Sequence, residues 1–211
     1  MPEKVAQQRR RPRKLPSQER AQHTVEAIVE AAARILERLG HDGFNTNAVA
    51  ELAGVSIGTL YQYFPDKDAL LGALIARETA LLVRDAELAG TERSGSTALT
   101  LLIGAAVKHQ LGRPKLARIL DLEENRLPLD PETLRVRERF HAILVSILRK
   151  PDLPAQADLA TAGFDVAAIM RGLLDAAGER GERSHDALMA RVHRAVLGYL
   201  ETARGNGFDE D

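Results

Sequence analysis

The segment Ala50-Glu-Leu-Ala-Gly-Val-Ser-Ile-Gly-Thr-Leu-Tyr-Gln-Tyr-Phe-Pro-Asp-Lys67 constrains this chain more than any other. It reads as two short helices meeting at a tight turn. Asn45 and Thr46 are good N-cap residues, because a short side-chain oxygen accepts a free backbone N–H at a helix start. The spacing predicts a first helix over residues 47–53, with Val49 and Leu52 as its apolar contacts. Gly54 follows and suits the left-handed conformation that ends many helices. Ser56 then caps a second helix, in which Ile57, Leu60, Tyr61 and Phe64 share one face at the i, i+3, i+4, i+7 spacing. The opposite face carries Gly58, Thr59, Gln62 and Tyr63. Pro65 stops this helix, since proline disfavours a helical residue before it. Asp66 caps the next one and places Lys67 in its first turn, where free N–H groups favour a phosphate. Small and hydroxyl-bearing residues on the outer face suit a helix that enters a DNA groove. A helical hairpin packed in a core is the competing reading of the same residues.

Composition narrows the fold. Aromatic residues are only 4% of the 211 and there is no Trp, so the core must be built from Leu, Ile, Val and Ala. With few β-branched runs, this favours an all-α protein. The absence of Cys excludes disulfides, thiolate metal sites and a cysteine nucleophile. The formal net charge of −1 means that DNA binding requires a local basic surface. Residues 1–16 offer one: Arg9, Arg10, Arg11, Arg13 and Lys14 stand among Pro2, Pro12 and Pro16. This stretch is expected to be disordered in isolation. It serves either as an arm that follows DNA into the minor groove or as a solubilising tail. The basic start leads into Gln, Arg and Pro rather than an apolar segment, so no signal peptide is expected and a cytoplasmic location is.

Helical periodicity organises the rest. Val25, Ile28, Val29, Ala32, Ile35, Leu36 and Leu39 form an apolar stripe ending at Gly40. A fourth helix over about 66–89 links the front of the chain to its remainder. Further helices are expected over about 97–110, 115–125, 131–150, 156–177 and 184–203, the third of these starting at Asp130-Pro131. The last two helices carry more apolar surface than one core face needs, through residues such as Val166, Met170, Leu173, Leu188, Val192, Val196 and Tyr199.

Chemistry for catalysis is sparse. The histidines are scattered, with no pair at i, i+4 facing a glutamate. His185 and His193 share a helix but read better as ordinary surface or interface residues than as metal ligands. No glycine-rich phosphate loop or nucleophile elbow is present, so neither an enzyme nor a cofactor is expected. Asp121, Glu123 and Glu124 lie near Arg118 and Arg126 and read as helix-surface ion pairs. The sharper alternative is a pocket carboxylate holding a cationic ligand. Candidate pocket residues from the middle helices are His109, Glu123, Phe140, His141, Phe164 and Met170, with Leu102, Leu120, Leu144 and Ile169 beside them.

The run Val49-Ala50-(Glu-Leu)-Ala53-Gly54-Val55-Ser56-(Ile)-Gly58-Thr59-Leu60-Tyr61-(Gln)-Tyr63-Phe64-(Pro-Asp)-Lys67-(Asp)-Ala69-Leu70 resembles the N-terminal signature of tetracycline-repressor-like (TetR family) regulators. The resemblance covers about residues 20–75. It implies an all-α homodimer with a helix-turn-helix domain at 17–70 and a ligand-binding and dimerisation domain at 71–211. It also implies that Val166, Met170, Leu173, Leu188, Val192, Val196 and Tyr199 pair with a symmetry mate. DNA contacts are expected from Thr46, Ser56, Ile57, Gly58, Thr59, Tyr61, Gln62, Tyr63 and Lys67. Of these, Gly58, Thr59 and Gln62 would meet base edges, and Ser56, Tyr61, Tyr63 and Lys67 the phosphates. The implied function is a repressor released from a palindromic operator by a small molecule, with the fourth helix as lever. An activator, a regulator answering to a protein partner, and a helical enzyme or scaffold that keeps the motif for packing are the alternatives.

Overall fold

The computed structural model describes residues 16–126 and 131–202. Among them are nine α-helices and no strand: α1 Pro16–Gly43, α2 Thr46–Ala53, α3 Ile57–Tyr63, α4 Lys67–Gly90, α5 Gly95–Gly112, α6 Pro114–Arg126, α7 Pro131–Leu148, α8 Leu159–Glu179 and α9 His185–Thr202. Arg9, Arg10, Arg11, Arg13, Lys14 and Asp130 lie outside the described residues.

Two hydrophobic clusters organise these helices. The first gathers Ile28, Val29, Ala32, Ile35 and Leu36 of α1, Val49 and Ala50 of α2, Leu60 of α3 and Phe64. Leu70, Leu71, Leu74 and Ile75 of α4 close it, together with Leu116 and Leu120 of α6. The α1 stripe thus meets its partners as the periodicity requires, except at its end. Gly40 takes φ 70° and ψ −173°, which breaks the helix, and Leu39 beside it is left 45% exposed. Leu52 of α2 is exposed as well, so Val49 and Ala50 carry that helix's packing.

The second cluster joins the end of α4 to α5, α7, α8 and α9, through residues such as Leu99, Leu102, Ile103, Leu144, Ile147 and Leu200. It also corrects the expected pairing surface. Val166, Leu188, Val192 and Val196 are fully buried inside the protomer, and Met170 nearly so. Their apolar stripes are consumed by the chain's own core and offer nothing to a second copy. Tyr199 and Leu173 are half-buried against the same cluster. The Tyr199 hydroxyl donates to Asp165 Oδ2 at 2.6 Å, and that bond pushes the phenol's pKa up to about 12.

Local polar contacts set where helices begin. Asp158 rather than Gln156 opens α8, accepting from the backbone N–H of Ala160 and Thr161. Gln156 instead donates its amide to the Leu200 carbonyl at 2.9 Å and ties the loop to the end of α9. Asp152, in the loop after α7, accepts from the backbone N–H groups of Gly95 at 2.7 Å and Ser96 at 3.1 Å, and from the Ser94 hydroxyl at 2.7 Å. These are otherwise unsatisfied donors at the first turn of α5. The bonds hold the Asp152 carboxyl down to about 2, from an ordinary value of 3.8. A lowered carboxyl pKa contributes stability above the unfolded value and loses it as pH falls. Wild-type protein should therefore lose stability between about pH 4 and pH 2, and Asp152→Ala should lose part of that dependence and melt lower at neutral pH. Thermal melts of both proteins across this range check it.

Candidate functional site

The front of the chain presents a short helix on a fixed base. Gly54 takes φ 69° and ψ 30°, and its N–H reaches back to the carbonyls of Ala50 and Glu51, ending α2. Asn45 caps α2 by accepting from Ala48 N–H at 2.8 Å. Ser56 Oγ caps α3, accepting from Thr59 N–H at 3.0 Å, and shares a hydrogen bond with the Thr59 hydroxyl at 2.8 Å. Leu60 is fully buried and Phe64 nearly so; they are the anchors of α3. The expected four-residue buried face is therefore narrower. Ile57 and Tyr61 are exposed, Tyr61 by 48%. The reason is length: α3 has 7 residues, and beneath it only Leu60 and Phe64 reach the core.

Exposure leaves Ile57, Gly58, Tyr61, Gln62 and Tyr63 on the surface together, with Thr59 half-buried. The Tyr61 hydroxyl lies 3.1 Å from the Thr46 hydroxyl and pins α3 to the start of α2. Lys67 is half-buried at the start of α4. Its ammonium lies over the Phe44 ring at 5.2 Å and points at the His41 carbonyl at 3.5 Å, a long contact. An α-helix with its side chains is about 10–12 Å across, close to the ~12 Å width of a DNA major groove.

The middle helices enclose a cavity of about 390 Å³. His109 of α5, Phe140 and His141 of α7, and Phe164 and Met170 of α8 all line it. So do Asp121 and Glu124 of the acidic cluster on α6, and residues that sequence spacing did not single out: Thr79, Gln110, Arg137, Arg171 and Asp175. Glu123 does not. It turns away from the cavity toward α1, where its carboxylate lies 2.8 Å from His41 Nδ1 and accepts from Arg126 Nε at 2.8 Å. Leu102 and Leu144 belong to the second cluster, Ile169 packs against it, and Leu120 belongs to the first.

Burial shapes the cavity's electrostatics. Loss of solvation lowers the His109 pKa and keeps that imidazole neutral near pH 7. Burial, then repulsion from Asp175, pushes the Asp121 carboxyl up to about 6. Burial raises Asp175 as well. The His141 and Phe164 rings stack 3.9 Å apart at the rim, and Phe164 is 63% exposed. Gly163 makes room for this: a Cβ there would lie 2.9 Å from His141 Nε2 and from Val145.

Between cavity and front helices runs a set of ion pairs, of which sequence spacing signalled Glu123–Arg126 alone. Arg113 meets Glu37 twice, at 2.9 and 2.6 Å. Arg77 reaches Glu30 at 3.0 Å. Arg126 bridges Glu123 and Asp68, the latter at 2.6 Å. Among the described residues no cluster of three or more histidines and carboxylates is placed to hold a metal ion. His193 lies 3.3 Å from the Thr100 hydroxyl. No described helix is long and apolar enough to cross a membrane.

Comparison with known proteins places this arrangement. The model of bacterial regulatory proteins of the tetR family matches residues 28–74, and the tetracyclin repressor-like C-terminal domain model matches residues 96–200. The chain belongs to the TetR family. The HTH-type transcriptional repressor KstR of Rhodococcus jostii is 43% identical over 51 residues, 24% of this chain and 24% of KstR, so the match spans about a quarter of that relative's length. The fatty acid metabolism regulator protein of Bacillus subtilis is 26% identical over 147 residues, 69% of this chain and 71% of that protein. The crystal structure of FadR from Bacillus subtilis in complex with stearoyl-CoA has a TM-score of 0.70 at 19% identity, covering 84% of this chain and 98% of that one. The family's two-part helical fold is the one described above.

The Glu123 network makes a prediction. Glu123→Ala strips a buried acceptor from both His41 and Arg126. It should cost roughly 1–3 kcal/mol of stability with helix content unchanged. Urea unfolding followed by far-UV circular dichroism measures both.

Proposed function

We propose that this TetR-family chain is a homodimeric, DNA-binding repressor of transcription, released from a palindromic operator when a small molecule occupies the α4–α8 cavity. One observation carries the reading. Leu60 and Phe64 are buried while Gly58, Gln62 and Tyr63 are exposed, with Thr59 half-buried beside them, on a capped helix. Gln62 suits adenine, whose N6 and N7 a carboxamide bridges, and the Thr59 methyl suits thymine. Gly58 lets the backbone approach the groove. Ile57 adds an apolar contact at the same face. Ser56, Thr46, Tyr61, Tyr63 and Lys67 meet phosphates and set the register.

Pairing falls to the outer faces of α8 and α9. Exposed Ala168 and Gly172 on α8, and Ala190 and Gly198 on α9, leave little bulk between this protomer and a symmetry mate. A two-fold pair presents α3 twice and reads half-sites about one helical turn apart. Such a protein acts where the DNA is, in the cytoplasm.

Release follows from helices that serve both ends. α4 places Leu70, Leu71 and Leu74 in the first cluster and Thr79 and Leu82 at the cavity. α6 does the same with Leu116 and Leu120 on one side and Asp121 and Glu124 on the other. A ligand that prefers the non-binding arrangement tenfold to a hundredfold supplies about 1.4–2.8 kcal/mol of coupling.

Two variants separate the assigned roles. Gln62→Ala should relax preference at one base pair per half-site, a loss of about 1–3 kcal/mol of discrimination. Lys67→Ala should weaken binding to all duplexes alike and flatten the salt slope by about one unit per site. Selection from randomised duplexes, then titration at several salt concentrations, reads both. A changed base preference in Lys67→Ala, or an unchanged one in Gln62→Ala, contradicts the assignment.

A further inference from the structure

The cavity wall is not electrically balanced. Three carboxylates line it, those of Asp121, Glu124 and Asp175, against two guanidiniums, those of Arg137 and Arg171. Glu124 and Arg137 neutralise one another at 2.6 Å. His109 stays uncharged through burial. The remaining charge, Asp121 on α6 and Asp175 on α8 facing Arg171, is net negative. The rest of the wall sets Thr79, His109 and Gln110, whose amide donates to Asp121 Oδ2 at 3.5 Å, beside an apolar stretch of Phe140, Met170 and Leu174 behind the His141–Phe164 stack.

A ligand entering here excludes water from these carboxylates. An anion would add repulsion to that loss. A neutral body would cover a charge without balancing it, which costs free energy in a low-dielectric site. A cation restores the balance and makes the strong, charge-assisted kind of hydrogen bond. We propose that the cavity takes a lipophilic organic cation, an amine whose ammonium sits at Asp175 beside Asp121 and whose apolar body lies against Phe140 and Met170. The raised pKa values of both aspartates agree: each site already favours taking up a positive charge, and an ammonium supplies one in place of a proton.

The assignment rests on the reading of this cavity as the effector site, and its test measures binding apart from DNA. Isothermal titration of the full chain with 4-phenylbutylamine, 4-phenylbutanol and 4-phenylbutyrate compares three ligands of one shape and different charge. The amine should bind at least roughly tenfold tighter than the other two, and Asp175→Asn should remove about that factor for the amine while leaving the alcohol unchanged. A thermal melt of Asp175→Asn establishes that the variant is folded; Asp121→Asn is the second variant should the first not fold. Butyrate or butanol binding as tightly as the amine, no amine binding, or an unchanged amine affinity in a folded variant overturns the proposal. Duplex binding by the same preparations separates the two readings. Amine binding without release of DNA leaves the ligand class standing and removes the effector role. Release by butyrate leaves the regulator and removes the cation.

Discussion

Burial of Leu116 and Leu120 is the contact on which the two ends of this molecule depend. Both side chains of α6 sit in the cluster that also holds α1, α2, α3 and the start of α4. An α-helix turns about 100° per residue, so fixing those two leucines fixes the direction of every neighbour. Asp121 and Glu124 are thereby turned to the cavity, and Glu123 and Arg126 to α1 and α4. A shift of α6 cannot be felt by the cavity alone. The Arg113–Glu37 and Arg77–Glu30 pairs reinforce the junction, but they are half-exposed and individually modest. The apolar contact is the constraint, and the ions decorate it.

The local chemistry of the front helices was legible in the sequence because caps and turns act over three or four residues. Asn45, Gly54, Ser56 and Asp66 each do what their side chains or backbone freedom permit. Burial within α3 was only half legible. Periodicity puts Ile57 and Tyr61 in line with Leu60 and Phe64, but a helix of two turns has no neighbour to cover its near end, and Tyr61 finds Thr46 at the surface instead. The cavity residues His109, Phe140, His141, Phe164 and Met170 were legible as members of the middle helices.

What escaped was direction and distance. Glu123 and Glu124 are adjacent, and composition treats them alike; packing sends one to His41 and the other to Arg137. Arg113 and Glu37 are far apart in sequence and share no periodicity. The apolar stripes of α8 and α9 are legible as stripes, but sequence does not say whose core they fill. Val166, Val192 and Val196 fill their own. The outward faces carry Ala168, Gly172, Ala190 and Gly198 among charged residues such as Arg171 and Arg194, and a search for apolar surface passes over them.

The most direct test of the central claim, that α3 turns its polar flank to a double helix twice in each assembled pair, is a nuclease footprint on the DNA flanking this protein's own gene, at low ionic strength. The expected result is a protected segment containing two inverted half-sites about 10 base pairs apart, lost on adding salt. Uniform cleavage across that DNA, with folded protein in excess, would contradict it.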